Sequence, residues 1–123
     1  MEDDLKAPYD LEDRLLNFGA RIITLTRSLG SDFAARHTGN QLLRSGTAPL
    51  SHHGEAQAAE SPADFIHKLR LALKEFRESE RWLKLIVRAN ILPDQKLTPL
   101  LDGTDQLIRI FVTSISTAEK RRK

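Results

Sequence analysis

Two adjacent histidines followed by a glutamate are the residues of this chain whose types and spacing come nearest to a chemical site. His52 and His53 precede Glu55 within residues 44–61, RSGTAPLSHHGEAQAAES, and His67 lies further along the chain. Di-metal four-helix bundles carry Glu-x-x-His on two helices, whereas this sequence has only the reverse order, once. Adjacent helical residues also point about 100° apart. A metal-dependent enzyme using His52, His53, Glu55 and His67 is therefore an alternative, and a polar helix surface is the leading interpretation.

The sequence lacks the other common motifs of catalysis. Ser45 and Ser51 lie near the histidines, but no strand-turn-helix elbow or glycine-rich oxyanion loop accompanies them. The chain has no P-loop, no GxGxxG and no HExxH motif. Because it has no cysteine, it also has no thiolate metal ligand and no thiol nucleophile. We therefore predict that the protein is not an enzyme and has no cofactor, bound metal or small-molecule substrate.

Basic residues are concentrated in the C-terminal half of the chain. The net charge is +2, but residues 61–123 hold 13 basic and 8 acidic residues. Clusters of Lys and Arg supply the electrostatic contact to nucleic-acid phosphates, although cations at the end of a helix also complement its dipole. The candidate nucleic-acid-binding residues are three on the third predicted helix and four at the end of the chain, namely Arg81, Lys84, Arg88, Lys120, Arg121, Arg122 and Lys123.

Four amphipathic helices are the elements that would position these residues. Apolar residues recur at steps of three and four, and no segment shows the period of two that is typical of a strand. The first helix is predicted to begin at Asp10 and to stop at Gly30, and the second to begin at Asp32. The third has Ser61 as its N-cap, and the fourth begins within residues 94–98.

Residues 44–61 are compatible with two structures. Gly46, Pro49 and Gly54 favour a helix that ends near Ser45 and is followed by a loop of about fifteen residues. A loop of that length is unusual in a small domain, and the alanine- and glutamine-rich end of the stretch has a high helix propensity. The alternative is a single long helix that bends at Pro49.

Four helices joined by short connections pack most simply as an antiparallel up-and-down bundle. We predict an all-α fold with the bundle at residues 10–119, a flexible tail at residues 1–9 and a basic tail at residues 120–123. No apolar run reaches the roughly 18 to 20 residues that span a bilayer. Together with the absence of cysteine, this predicts a cytoplasmic protein without membrane contact.

A polar seam between the second and third helices is a further prediction. Arg44 and Glu55 are eleven residues, or three helical turns, apart, so they fall on nearly the same face of a helix that runs through Pro49. Lys74, Glu75 and Glu78 on the third helix are candidate partners across the bundle. A seam of Arg44, Glu55 and Glu75 would fix the register of the two helices while adding little net stability.

Residues 41–86 resemble a known protein family. The most specific segments are QLLRSGT at 41–47, EAQAAES at 55–61, ADFIHKL at 63–69 and ALKE at 72–75. They are similar to segments of the bacterial large-subunit rRNA intervening-sequence proteins, some of which are encoded within intervening sequences of 23S rRNA genes. The resemblance runs from about Leu11 to Thr117. The chain departs from the family pattern at residues 48–52, where Ala-Pro-Leu-Ser-His replaces a common Ser-hydrophobic-Gly-Ala-Asn.

The resemblance implies a four-helix bundle whose long second helix includes residues 44–59. It also implies a homo-oligomer, with a pentameric ring as the expected form, and no established enzymatic activity. A related branch assists the reverse transcriptase of diversity-generating retroelements and binds nucleic acid through a basic surface. We therefore expect a non-catalytic assembly or interaction module with weak binding to RNA or a nucleoprotein. A scaffold that binds only proteins is the second alternative, beside the metal-dependent enzyme.

Overall fold

The computed structural model describes residues 10–122, which form four α-helices. In chain order these are α1 at Leu11–Arg27, α2 at Phe33–Gln57, α3 at Pro62–Arg88 and α4 at Asp94–Arg122. No strand occurs in this part of the chain, and none of its helices combines the length and apolar character needed to cross a bilayer. The predicted all-α, four-helix fold is confirmed. The tail predicted at residues 1–9 and the candidate Lys123 lie outside the described residues.

Side-chain caps begin α2 and α3. A side-chain oxygen of Asp32 accepts the backbone N–H of Ala35 at 2.8 Å, and Oγ of Ser61 accepts the backbone N–H of Asp64 at 3.1 Å. Each cap satisfies an amide that the first turn leaves without an intrahelical partner. Between α1 and α2, Gly30 has a φ of 99°, a conformation that glycine adopts without a steric penalty, and this allows a tight turn.

Pro49 lies inside α2 without ending it. The helix is continuous from Phe33 to Gln57, so the alternative of a loop after Ser45 does not occur. Proline removes one backbone hydrogen bond and crowds the carbonyl four residues earlier. However, the Pro49 ring is fully buried, and its apolar packing offsets part of that cost. The single long helix is confirmed, although it ends at Gln57 and not at Ala59.

The helices pack in chain order as an antiparallel bundle. The extensive contacts are those of α1 with α2, of α2 with α3 and of α3 with α4, while α1 and α4 contact each other much less. Ile22 packs against Gly46, and Leu29, just after α1, packs against the earlier Gly39. As the chain advances from Ile22 in α1 to Leu29, its contacts in α2 move back from Gly46 to Gly39. The two helices therefore run antiparallel.

Three phenylalanines from different helices meet at the centre of the bundle. The ring of Phe76 in α3 lies edge-on to Phe18 of α1 and to Phe111 of α4, with centroid separations of 5.5 and 5.2 Å. Edge-to-face packing at such distances suits the charge distribution of aromatic rings. All three side chains are buried, and burial of each contributes roughly 1.5–3 kcal/mol to folding. These contacts fix which side of α1, α3 and α4 faces the core.

α4 continues to Arg122, the last residue that the structure describes. Lys120, Arg121 and Arg122 therefore occupy the final helical turn, whereas the sequence predicts a separate basic tail at residues 120–123. Cations on a last turn interact favourably with the negative end of the helix dipole, which gives these residues a role in the fold that requires no ligand.

Candidate nucleic-acid interface

Six cations form a single row along the solvent-facing side of α3, which we call the α3 basic row. They succeed one another at alternating steps of four and three residues, so that neighbours lie on adjacent turns of one helix face. With a rise of 1.5 Å per residue, the row extends over about 27 Å. All six side chains are exposed: Arg70, Lys74, Arg77, Arg81, Lys84 and Arg88.

The apolar pattern of α3 places this row opposite the core. Phe76 and Leu83 are fully buried, and Lys74 and Arg81 each precede one of them by two positions. Two positions correspond to a rotation of about 200° around the helix, so a residue at that offset points away from the buried stripe. Burial of the apolar stripe therefore sets the rotation of α3 about its axis and holds the α3 basic row in solvent.

Carboxylates engage two of the six cations. Arg70 pairs with Glu119 of α4, and Nζ of Lys84 lies 3.9 Å from Oε1 of Glu80. No acidic residue within residues 10–122 forms an ion pair with the other four. Exposed ion pairs contribute only about 0–1 kcal/mol, so phosphate groups can compete for Arg70 and Lys84 as well. The row thus offers four to six positive charges to a polyanion.

The structure brings together only some of the predicted nucleic-acid-binding residues. Arg81, Lys84 and Arg88 form the C-terminal half of the α3 basic row. Arg121 and Arg122 lie instead beside the first turn of α3, because α3 and α4 are antiparallel. Helix geometry puts the two groups about 25 to 35 Å apart along the bundle. They are therefore two separate basic surfaces.

Sequence reasoning missed Arg70, Lys74 and Arg77 as members of the row. The sequence does contain a signal for them, since Lys74 and Arg77 precede the core positions Phe76 and Ser79 by two residues. Ser79 hides that signal, because it is a polar residue at a fully buried position. Its hydroxyl donates to Oγ of Ser45 at 2.8 Å, which satisfies the group inside the core.

A cluster of charges joins α2 to α3 beside the row. Nη1 of Arg44 donates to Oε1 of Glu75 at 3.0 Å, and its other terminal nitrogen contacts Glu78. Nε1 of Trp82 also donates to Glu78, at 3.0 Å, and the indole lies edge-on to His37 at a centroid distance of 5.9 Å. Arg44 thus engages both carboxylates, which reduces the negative charge next to the α3 basic row.

The two adjacent histidines of α2 point in different directions. Nδ1 of His52 lies 3.1 Å from Oε1 of Glu55 at the surface, so Glu55 pairs locally and takes no part in the cluster that holds Arg44. His53 is buried, and its Nε2 lies 3.3 Å from Nε2 of Gln57. Its Nδ1 has no hydrogen-bond partner among the described residues. Burial lowers the pKa of His53, an effect that the nearby carboxylate of Glu12 partly opposes.

These histidines do not assemble a metal site. His52 pairs at the surface, His53 faces the core, and His67 is exposed on a different helix, α3. Within the described chain, no three His, Asp or Glu side chains converge as metal ligands. Residues 10–122 therefore do not bring together the set of ligands that the metal-dependent alternative requires.

Comparison with known proteins gives a consistent assignment. The sequence pattern of the family described as 23S rRNA-intervening sequence protein matches residues 11–113. A crystal structure of a protein of unknown function from the S23 ribosomal protein family of Bacteroides thetaiotaomicron has 33% sequence identity and a TM-score of 0.80. The match covers 85% of this chain and 96% of that protein. No curated protein matches the chain.

Proposed function

The chain belongs to the 23S rRNA-intervening sequence protein family, and we propose on this basis that it is a non-catalytic interaction module that binds RNA or a ribonucleoprotein. The α3 basic row is the observation that carries the proposal.

Binding by the row would depend on phosphates and not on base sequence. Successive cations lie about 5 Å apart along the helix axis, and contacts between Lys or Arg and phosphate position a protein without reading bases. Trp82, which follows Arg81 of the row, is half-buried and donates its N–H to Glu78. Affinity should therefore fall steeply as salt rises.

We also propose that the protein assembles with copies of itself in the bacterial cytoplasm, with a ring of five as the expected form. Leu16 and Ile23, seven residues apart on α1, have relative exposures of 48% and 37%. Exposed apolar residues that repeat along one helix face suit contact with another subunit. A ring would repeat the α3 basic row around its circumference, and several weak contacts on one RNA strengthen overall binding.

The test replaces Lys74, Arg77 and Arg81 with glutamine in one variant. We expect its affinity for a blunt RNA duplex to fall and the slope of log affinity against log salt to become shallower by about 2 to 3, because each lost phosphate contact removes about 0.7–0.9 from that slope. Fluorescence anisotropy over a range of salt concentrations gives the slope.

A matched control removes the same charge elsewhere. Arg21, Lys96 and Arg109, which are exposed on α1 and α4, are replaced with glutamine, and this variant should keep the wild-type slope. A separate variant with glutamine at residues 120–123 tests the second basic surface. Equal slopes for wild type and the α3 variant would contradict the proposal. Capture of a protein partner without any RNA binding would favour the protein-only scaffold.

A further inference from the structure

An open groove lies where α1 turns into α2. Its volume is about 560 Å³, within the range of pockets that take small organic groups. Phe33, the first residue of α2, stands at its edge with 87% of its surface exposed. No other large apolar side chain among the described residues is exposed to this degree.

The groove carries positive charge and hydrogen-bonding groups beside the exposed ring. The guanidinium carbon of Arg36 lies 5.8 Å from the centre of the Phe33 ring, within the range of a cation–π contact. Arg27, His37 and Asn40 also line the groove, and no acidic residue among residues 10–122 does so. The site therefore combines a flat apolar face with cations, which complements a ligand that has an aromatic ring and a phosphate.

Antiparallel packing puts this groove at the end of the bundle to which the α3 basic row leads. His37, near the start of α2, contacts Trp82, so the N-terminal turn of α2 lies level with the C-terminal end of α3. Arg88, the last cation of the row, is at that same end. An RNA that follows the row towards Arg88 would arrive near the groove.

We infer that Phe33 is a stacking platform for one unpaired base of a bound RNA, with Arg27 and Arg36 contacting the adjoining phosphates. This inference rests on the proposed function and deepens it, because the row alone recognises only the backbone. Bases of single-stranded segments stack on aromatic and arginine side chains, and one such contact contributes about 1–3 kcal/mol. The platform gives the protein a preference for RNA with an unpaired end or loop.

The experiment compares two RNAs that differ only in unpaired nucleotides. One is a blunt duplex, and the other carries the same duplex with a short overhang containing the fluorescent base 2-aminopurine. Wild type should bind the overhang RNA about 5- to 150-fold more tightly, the range that corresponds to one stacking contact, and should quench the fluorescent base. Phe33→Ala should remove that preference and the quenching but leave duplex affinity and its salt dependence unchanged.

Two further variants make the result specific to stacking. Phe33→Trp should retain the preference, because a larger ring also stacks, whereas Leu85→Ala removes a 45% exposed apolar residue of α3 and should behave as wild type.

An undiminished overhang preference in Phe33→Ala would overturn the inference while leaving the α3 basic row intact as the proposed interface. A change of oligomeric state in Phe33→Ala, without a change in RNA preference, would also overturn it and assign the groove to a second copy of the chain. A further outcome is that neither wild type nor any variant binds the blunt duplex, while wild type still quenches 2-aminopurine and Phe33→Ala does not. This outcome would refute the proposed role of the α3 basic row and support the stacking platform.

Discussion

His53 and the adjacent His52 lie in different environments, although they are the same type of residue. His53 lies seven residues after Gly46 and four after Pro49, both of which are buried, so it occupies the next core position of α2. Its ring packs edge-on against Phe111 at a centroid distance of 6.2 Å. The pair of histidines suggested a shared polar role, but the spacing from the core positions predicts that His53 is buried and that its neighbour His52 lies off the core stripe, where it is half-buried.

The burial of His53 leads to a prediction about pH and stability. Desolvation lowers the pKa of His53 in the folded protein below the ordinary histidine value of about 6.5, against the opposing charge of Glu12. As the pH falls, His53 of the unfolded chain therefore takes up a proton at a higher pH than His53 of the folded protein does. Stability is fully present above about pH 6.5 and is lost as the pH falls below that value towards the folded-state pKa, with a slope of at most about 1.4 kcal/mol per pH unit.

Urea denaturation between pH 8 and pH 5 provides the measurement. The His53→Leu variant should lose less stability over this interval than wild type does, whatever its stability at pH 8. His67→Leu, a change at an exposed position of α3, is the control for loss of an imidazole elsewhere. If wild type and His53→Leu showed the same dependence on pH, the assignment of this effect to the buried imidazole would be wrong.

At the scale of the elements, the contact between α1 and α2 depends on a glycine. A Cβ atom added to Gly46 would lie 2.7 and 2.8 Å from two γ carbons of Ile22. Isoleucine is branched at Cβ and stiff at χ1, and Ile22 is fully buried, so it cannot move aside easily. At Gly39 the nearest atom is instead the terminal Cδ1 of Leu29 at 3.3 Å, which is the flexible end of its side chain.

We therefore expect Gly46→Ala to destabilise the protein by about 1–3 kcal/mol through overpacking, despite the better helix propensity of alanine. The control is Gly54→Ala in the same helix, where a new Cβ meets no atom within 4 Å. That change should stabilise the protein by about 0.5–1 kcal/mol. Thermal unfolding of both variants measures the difference. A stabilised Gly46→Ala protein would show that the two helices do not approach so closely.

The elements differ in how far the sequence predicted them. α3 has a capping serine, a proline in its first turn and an uninterrupted apolar stripe, so local signals agreed with the fold. In α2 the local signals of Gly46 and Pro49 conflicted with it, because glycine and proline disfavour a helix interior. Both residues are buried against other helices. Tertiary packing therefore decides the structure of α2, and no local pattern reports such packing.

At the scale of the whole molecule, the sequence shows which half of the chain is basic but not how the basic residues are arranged on the surface. The basic excess of the C-terminal half is evident from composition, but its division into the α3 basic row and a second surface at Arg121 and Arg122 follows from antiparallel packing. Likewise, Arg44 could be assigned carboxylate partners on α3, whereas the local pairing of Glu55 with His52 depends on side-chain geometry. Contacts between helices require the register of the bundle, which periodicity alone does not fix.

The exposed apolar face of α1 carries the last prediction, which concerns assembly. Because Leu16 and Ile23 are exposed, their replacement by glutamate should leave the fold of one subunit intact but place charges in the proposed subunit contact. Native mass spectrometry of the untagged protein should then show an oligomer, expected to be a pentamer, for wild type and a monomer for Leu16→Glu/Ile23→Glu. Leu85→Glu, an equally exposed apolar site on α3, should retain the oligomer. A monomeric wild type would contradict self-assembly altogether, and dissociation of Leu85→Glu alone would move the contact to α3, where it would compete with RNA for the same helix.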